Sequence, residues 1–146
     1  MKFTILQSNL QRVLGHVSRV VGARTALPVL SNVLIVAEKG KIKISATDLE
    51  VAITSCTQGK VEEEGSLTIP ARLLTDFVSN NNDESIEFTT KETKLHLKSK
   101  KYSANINGVS SEEFPTIPSL PKGMFCSIKR DNFVEGLKKV IIAPAN

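Results

Sequence analysis

The chain has no tryptophan, one tyrosine and only two cysteines in 146 residues. Cys56 and Cys126 stand far apart, with no CxxC pair and no histidine at metal-ligand spacing. That excludes a disulfide framework or a zinc site as the organising device, and leaves free thiols in a reducing compartment as the expected state. No apolar run approaches the ~20 residues of a membrane-spanning helix. Met1-Lys2-Phe3 leads straight into patterned sequence instead of the apolar core of a signal peptide. A soluble, cytoplasmic protein is expected. The eight glycines are scattered and form no phosphate-binding loop. His16 and His96 are isolated, so neither builds a catalytic set. Asp48 and Glu50, in the run T-D-L-E, lack a neighbouring base, nucleophile or second ligand cluster, and a turn role suits them better than acid–base chemistry. The expectation is a protein that is not an enzyme and needs no cofactor and no metal.

Acid is missing from one place in particular. Residues 1–30 contain Lys2, Arg12, Arg19 and Arg24 with no Asp or Glu, a net of +4. Residues 122–140 hold Lys122, Lys129, Arg130, Lys138 and Lys139 against Asp131 and Glu135, a net of +3. The whole chain nets +4, so the remaining residues carry −3. Positive charge thus collects where the pattern reads as helix, which hints at a polyanion on the helical side.

A chain of this length suits about one domain with a real core. From Asn9 to Val21 the residues Leu10, Val13, Leu14, Val17, Val20 and Val21 recur at three- and four-residue spacing. This predicts an amphipathic helix, with Ser8 or Asn9 available as cap and Gly22 as stop. After Pro28, VLSNVLIVAEKGKIKISATDLEVAITSC reads as three strands, turning at Lys39-Gly40 and at Thr47–Glu50. In KIKISA lysines alternate with apolar residues, so one face of that strand is wet. SLTIPARLLTDFVSNNN then predicts a short strand, a proline suited to a helix start, and a helix with the apolar stripe Leu73, Leu74, Phe77 and Val78. SIEFTT, KLHLKS and KYSANI follow as three more strands. Strand, helix and three strands therefore occur twice, at an offset of about 64 residues. Two pseudo-symmetric halves form an α+β domain with two helices packed on antiparallel sheet.

EEFPTIPSLPKG, with three of the six prolines, reads as an ordered linker. Beyond it FCSIKRDNFVEGLKKVIIAPAN repeats the opening: Ile128 falls on Ile5, Phe133 on Leu10, Leu137 on Leu14 and Val140 on Val17. The expected organisation is one domain over 1–121 and, over 122–146, the start of a second, similar domain that the chain does not complete. The helix of that start, lacking a sheet beneath it, is expected to dock on the first domain or to fray.

The opening MKFTI, R-T-A-L-P-V-L-S-N from Arg24 to Asn32, S-A-T-D-L-E from Ser45 to Glu50, I-P-A-R from Ile69 to Arg72 and E-E-F-P from Glu112 to Pro115 together resemble the bacterial DNA polymerase III beta subunit, the sliding clamps. The resemblance covers that family's first domain and the start of its second. It implies the DNA-clamp fold. It further implies three such domains per chain and two chains joined head to tail in a ring around double-stranded DNA, with helices lining the hole and sheets outside. By the same resemblance Arg24 and Arg72 contact DNA. Arg12 and Arg19, seven apart with His16 between them, are expected to share the exposed face of the first helix as diffuse phosphate contacts without base specificity. The local alternatives are a helix-dipole role for Arg24 and an ion pair with Asp76 for Arg72. The family's subunit interface, an edge strand of the first domain against the third domain of the other chain, implies that Lys94, Lys101, Ala104 and Ile106 lie near it. Ala104 is smaller than the apolar group related proteins can carry there. The resemblance also implies that polymerase and clamp loader bind between the second and third domains, so that the present chain is monomeric or weakly associated. The rival reading is an open, single-domain, non-specific nucleic-acid-binding module, which aromatic stacking platforms would support.

Overall fold

The computed structural model describes residues 1–21, 27–118, 123 and 126–142. Strand β1 (Lys2–Leu6) runs directly into helix α1 (Gln7–Val17). Three strands follow: β2 (Asn32–Glu38), β3 (Lys41–Thr47) and β4 (Ala52–Gln58). Gly59 then separates β4 from a short fourth strand, β5 (Lys60–Glu63), which the repeat pattern does not anticipate. The second half is β6 (Gly65–Pro70), α2 (Ala71–Ser79), β7 (Ser85–Lys91), β8 (Lys94–Lys98) and β9 (Ser103–Asn107), and α3 (Arg130–Val140) stands apart near the end.

The strands form two antiparallel sheets, ordered β5-β1-β7-β8-β9 and β4-β3-β2-β6. Each half lends its first strand to the other half's sheet. β1 pairs with β7, placing Phe3 opposite Phe88 and Ile5 opposite Ile86; β6 pairs with β2, placing Ile69 opposite Val33 and Leu67 opposite Ile35. The exchange continues at the ends. Past Gly59 the chain leaves β4's sheet and β5 pairs with β1, and past Gly108 it leaves β9's sheet so that Val109 bridges to Thr68 of β6. One core joins both sheets and the buried sides of α1 and α2. Period-two burial dictates it: Leu95 and Leu97 of β8 are fully buried while Lys94, His96 and Lys98 are exposed. Phe3 and Phe88 stack at the centre, with ring centroids 4.5 Å apart.

Turn chemistry agrees with the sequence. Lys39 and Gly40 both have positive φ between β2 and β3, as a two-residue hairpin turn demands. Between β3 and β4, Asp48 Oδ1 accepts the N–H groups of Glu50 and Val51 at 3.0 and 2.7 Å, and Thr47 Oγ1 accepts that of Leu49. The Asp48 carboxylate is a turn element, held below its ordinary pKa first of all by the Val51 N–H.

Helix boundaries differ from the periodicity. α1 begins at Gln7, two residues early, and ends at Val17, four residues before the predicted Val21. Neither Ser8 nor Asn9 caps it. Leu6 occupies the cap position without a side-chain bond, and the opening turn is secured by tertiary partners: Gln7 N–H donates to Glu84 O at 2.9 Å and Gln7 Nε2 to Val78 O at 2.8 Å. Gly22 lies outside the described residues. In α2 the buried face is Ala71, Leu74 and Val78, whereas Leu73, predicted in the apolar stripe, is exposed. Among the described residues no helix is long and apolar enough to cross a membrane.

The repeat of α1 in α3 is one of sequence and secondary structure but not of packing. Leu10, Leu14 and Val17 are fully buried; their counterparts Phe133, Leu137 and Val140 are 53%, 46% and 60% exposed. α3 buries none of its residues.

Candidate nucleic-acid interface

α1 buries Leu10, Val13, Leu14 and Val17 and turns Ser8, Gln11, Arg12, Gly15 and His16 to solvent. Burial of one stripe therefore presents Arg12 outward by geometry alone. Arg19 is also exposed but lies in the turn beyond the helix, so the seven-residue spacing no longer places it on the α1 face. That part of the expectation is corrected: the helix stops at Val17, where Ser18 N–H closes on Leu14 O at 2.9 Å. Arg24 lies outside the described residues.

Arg72 stands in the first turn of α2, where the helix dipole disfavours a cation. Its side chain is 93% exposed, and Asp76 Oδ2 approaches Nε only to 3.9 Å. An ion pair that long and that wet contributes little. α1 packs against α2, and a cleft of about 380 Å³ opens between the end of α1 and the start of α2. Ser18 and Val21 line it from one side, Arg72, Thr75 and Asp76 from the other, with Ser31 contributing. The segment bearing Arg19 and the helix bearing Arg72 thus meet across one concavity, although their residues lie more than fifty positions apart in sequence. Ser18, Ser31 and Thr75 carried no sequence signal as lining residues, because three separate segments bring them together, and the Thr75 Oγ1 is itself buried. The chemistry such a surface offers is attraction and hydrogen bonding to phosphate without base readout.

The four residues expected at the subunit interface separate into two kinds. β9 is an edge strand, but Ile106 is buried in the core and Ala104 packs half-buried against it. Only the main-chain edge is free at those positions, and Ile106 cannot offer its side chain to a partner. Lys94 and Lys101 are exposed. Lys101 N–H donates to Asp83 Oδ2 at 2.8 Å and Ser99 Oγ–H to the same oxygen at 2.7 Å. Those two bonds, Ser99 first, hold the Asp83 carboxyl below its ordinary pKa.

Asp48, Asp83 and Glu62 all have lowered pKa values, Glu62 chiefly through its hydrogen bond to Lys2 Nζ at 2.8 Å. A carboxylate depressed in the folded state stabilises the fold above its unfolded pKa, about 4, and that contribution is lost as pH falls through the folded value. Melting temperature is therefore expected to stay level from pH 7 to about 5 and to fall below about 4. Asp83→Asn should shallow that fall, which thermal melts across pH 2.5–7 will check.

No group of three or more His, Cys, Asp or Glu side chains suited to a metal occurs among the described residues. Residues 1–118 match the family described as DNA polymerase III beta subunit, N-terminal domain. The chain is 33% identical to the beta sliding clamp of Synechococcus elongatus, over 98% of this chain and 39% of that protein. It is 32% identical to the beta sliding clamp of Pseudomonas putida, over 99% of this chain and 40% of that one. Among solved structures, the DNA polymerase III subunit beta of Pseudomonas aeruginosa superposes with a TM-score of 0.93 at 32% identity, over all of this chain and 40% of its own. The C. crescentus beta sliding clamp gives 0.78 at 31% identity, over 82% of this chain and 32% of its own. The chain thus spans about two fifths of the length of these relatives. With the exchanged-strand domain and its pair of helices in common, the chain belongs to the DNA polymerase III beta subunit family, the beta sliding clamps, and residues 1–118 match that family's N-terminal domain.

Proposed function

We propose that the protein serves as a sliding clamp, with this chain supplying its first domain over 1–121 and the opening of a second over 122–146. In this reading two full-length chains close into a ring around duplex DNA, helices inward. A closed ring cannot leave the duplex sideways, so a polymerase tethered to it keeps a high effective concentration at the primer end. The work is mechanical and cytoplasmic, without catalysis by the clamp. Polymerase and clamp loader engage domains beyond the present residues. Sequence-blind phosphate contacts suit sliding, because a base-specific contact would halt the ring. Arg12, Arg19, Arg24 and Arg72 fill that role, and the β9 edge with Lys94, Lys101, Ala104 and Ile106 meets the other subunit, through main-chain pairing at Ile106.

The observation that carries the reading is the exposed, barely paired Arg72 at the first turn of α2, facing the α1 end across a shared cleft. The proposal is tested on the 146-residue chain by fluorescence anisotropy with a labelled duplex at low salt. Arg12→Ala/Arg19→Ala/Arg72→Ala is expected to weaken binding and to flatten the log–log salt dependence by about 0.9 for each phosphate contact removed. Identical affinity and slope in the triple variant would remove these residues from the interface.

A further inference from the structure

Helix α1, QSNLQRVLGHV, has no acidic residue, and α2, ARLLTDFVS, has one, Asp76. Nothing in the helix asks for it there. Aspartate is a poor helix former, and Asp76 begins the last turn of α2, where the carbonyl end of the helix dipole disfavours negative charge. Its side chain caps nothing: the bonds that close the helix, from Asn80 N–H at 3.1 Å and Asn80 Nδ2 at 2.8 Å, both run to its main-chain oxygen. The carboxylate is 64% exposed, and its only ion pair among the described residues is the 3.9 Å approach to Arg72 Nε.

Tertiary structure puts this acid at a particular place. Four residues beyond Arg72, it shares that residue's side of α2, and it lines the cleft between the end of α1 and the start of α2 together with Arg72, Thr75, Ser18 and Ser31. A phosphate drawn to Arg72 therefore lies beside a fixed negative charge. The Arg72–Asp76 pair is too long and too wet to sequester the guanidinium. Asp76 does not switch Arg72 off; it offsets part of its attraction.

We propose that Asp76 tempers the affinity of the duplex-facing surface, its carboxylate repelling the phosphate that Arg72 attracts and keeping that contact weak enough to be remade as the duplex moves past. This role rests on the sliding-clamp reading and deepens it, by naming the group that limits how tightly the helices hold DNA. A like charge about 6 Å away in a water-like medium changes an equilibrium constant about threefold. The effect shrinks as salt shortens the Debye length from about 30 Å at 10 mM to about 8 Å at 150 mM. A purely structural role has a different signature: removing the charge would lower stability and leave binding where it was.

Fluorescence anisotropy of the 146-residue chain with a labelled duplex at about 10 mM salt provides the test. Asp76→Asn, which keeps the side-chain shape and the main-chain oxygen, is expected to bind about threefold tighter, the gain narrowing at about 150 mM. Its melting temperature should equal or exceed the parent's, because a charge that opposes the helix dipole is gone. Glu38→Gln controls for net charge. Glu38 is exposed at the opposite end of β2 from the Asn32–Pro70 pair that adjoins α2, about 20 Å along the strand, and its removal should change binding far less. The proposal is overturned if Asp76→Asn binds like the parent or more weakly, or if Glu38→Gln tightens binding as much. Failure of the clamp reading looks different: Arg12→Ala/Arg19→Ala/Arg72→Ala would bind as tightly as the parent, and the tempering role would fall with it. A weakened triple variant beside an unaltered Asp76→Asn would strike Asp76 alone.

Discussion

Gly108→Ala is expected to lower the unfolding free energy by about 2–3 kcal/mol. A Cβ at this position would stand 2.4 Å from Thr68 O, 2.7 Å from Ile69 Cδ1 and 3.1 Å from Thr93 O. Carbon–oxygen contacts ordinarily begin near about 3.3 Å, and two of the three obstacles lie on the main chain, which cannot rotate aside. Gly108 must also keep its own N–H on Thr93 O at 2.7 Å, while Val109 N–H and O pair with Thr68 O and N–H at 3.0 and 3.1 Å. These bonds close the second half of the domain onto the sheet of the first, so making room for a methyl group breaks the crossing itself. Gly59 supplies the internal control. Its Cβ would meet the Ile42 side chain at 2.6 Å (Cδ1) and 3.0 Å (Cγ1) and one main-chain atom, Thr4 O, at 3.0 Å. Gly59→Ala should destabilise less than Gly108→Ala in urea titrations. The reverse order would mean that the two crossings are not held as the geometry indicates.

Leu14→Ala should destabilise by about 2–5 kcal/mol, whereas Leu137→Ala should stay within about 0.5 kcal/mol. The two leucines occupy corresponding positions of a repeated sequence, and no composition or periodicity separates them. Leu14 is 1% exposed in the core shared by both sheets, and Leu137 is 46% exposed on a helix that touches nothing comparable. Deleting the first side chain loses transfer free energy and leaves a cavity; deleting the second removes surface that water already reaches. Equal losses in the two variants would show that α3 is packed in solution, against this domain or another copy.

Several candidate residues were legible before folding was considered. The acid-free first thirty residues, the cation placed just after Pro70, and the turn chemistry of Asp48 all depend on neighbours within a few positions. Helical spacing correctly placed Arg12 on the wet side of α1, because four buried residues at three- and four-residue intervals leave one direction for the rest. It failed for Arg19. Val20 and Val21 continue the apolar spacing, but periodicity reports only which side chains prefer burial and cannot say that the chain leaves the helix after Ser18, where Val20 N–H bonds to Val17 O at 3.2 Å. Leu73 failed for a similar reason: the α2 face that counts is set by where β6 and β2 lie, and the nine-residue helix buries only a narrow stripe.

By itself the order of residues determined most of the elements, β5 excepted, the twofold repetition and the side of a strand such as β8 that is wet, since these follow from spacing along the chain. Tertiary structure alone decided that the halves trade their first strands, that Gly59 and Gly108 carry the chain between sheets, and that Ile106 turns inward from an edge. It also set the α1 end beside Arg72 and tied the β8–β9 turn to Asp83. These are relations between residues distant in sequence. They arise because unsatisfied main-chain groups and apolar faces must find partners wherever the whole chain can supply them.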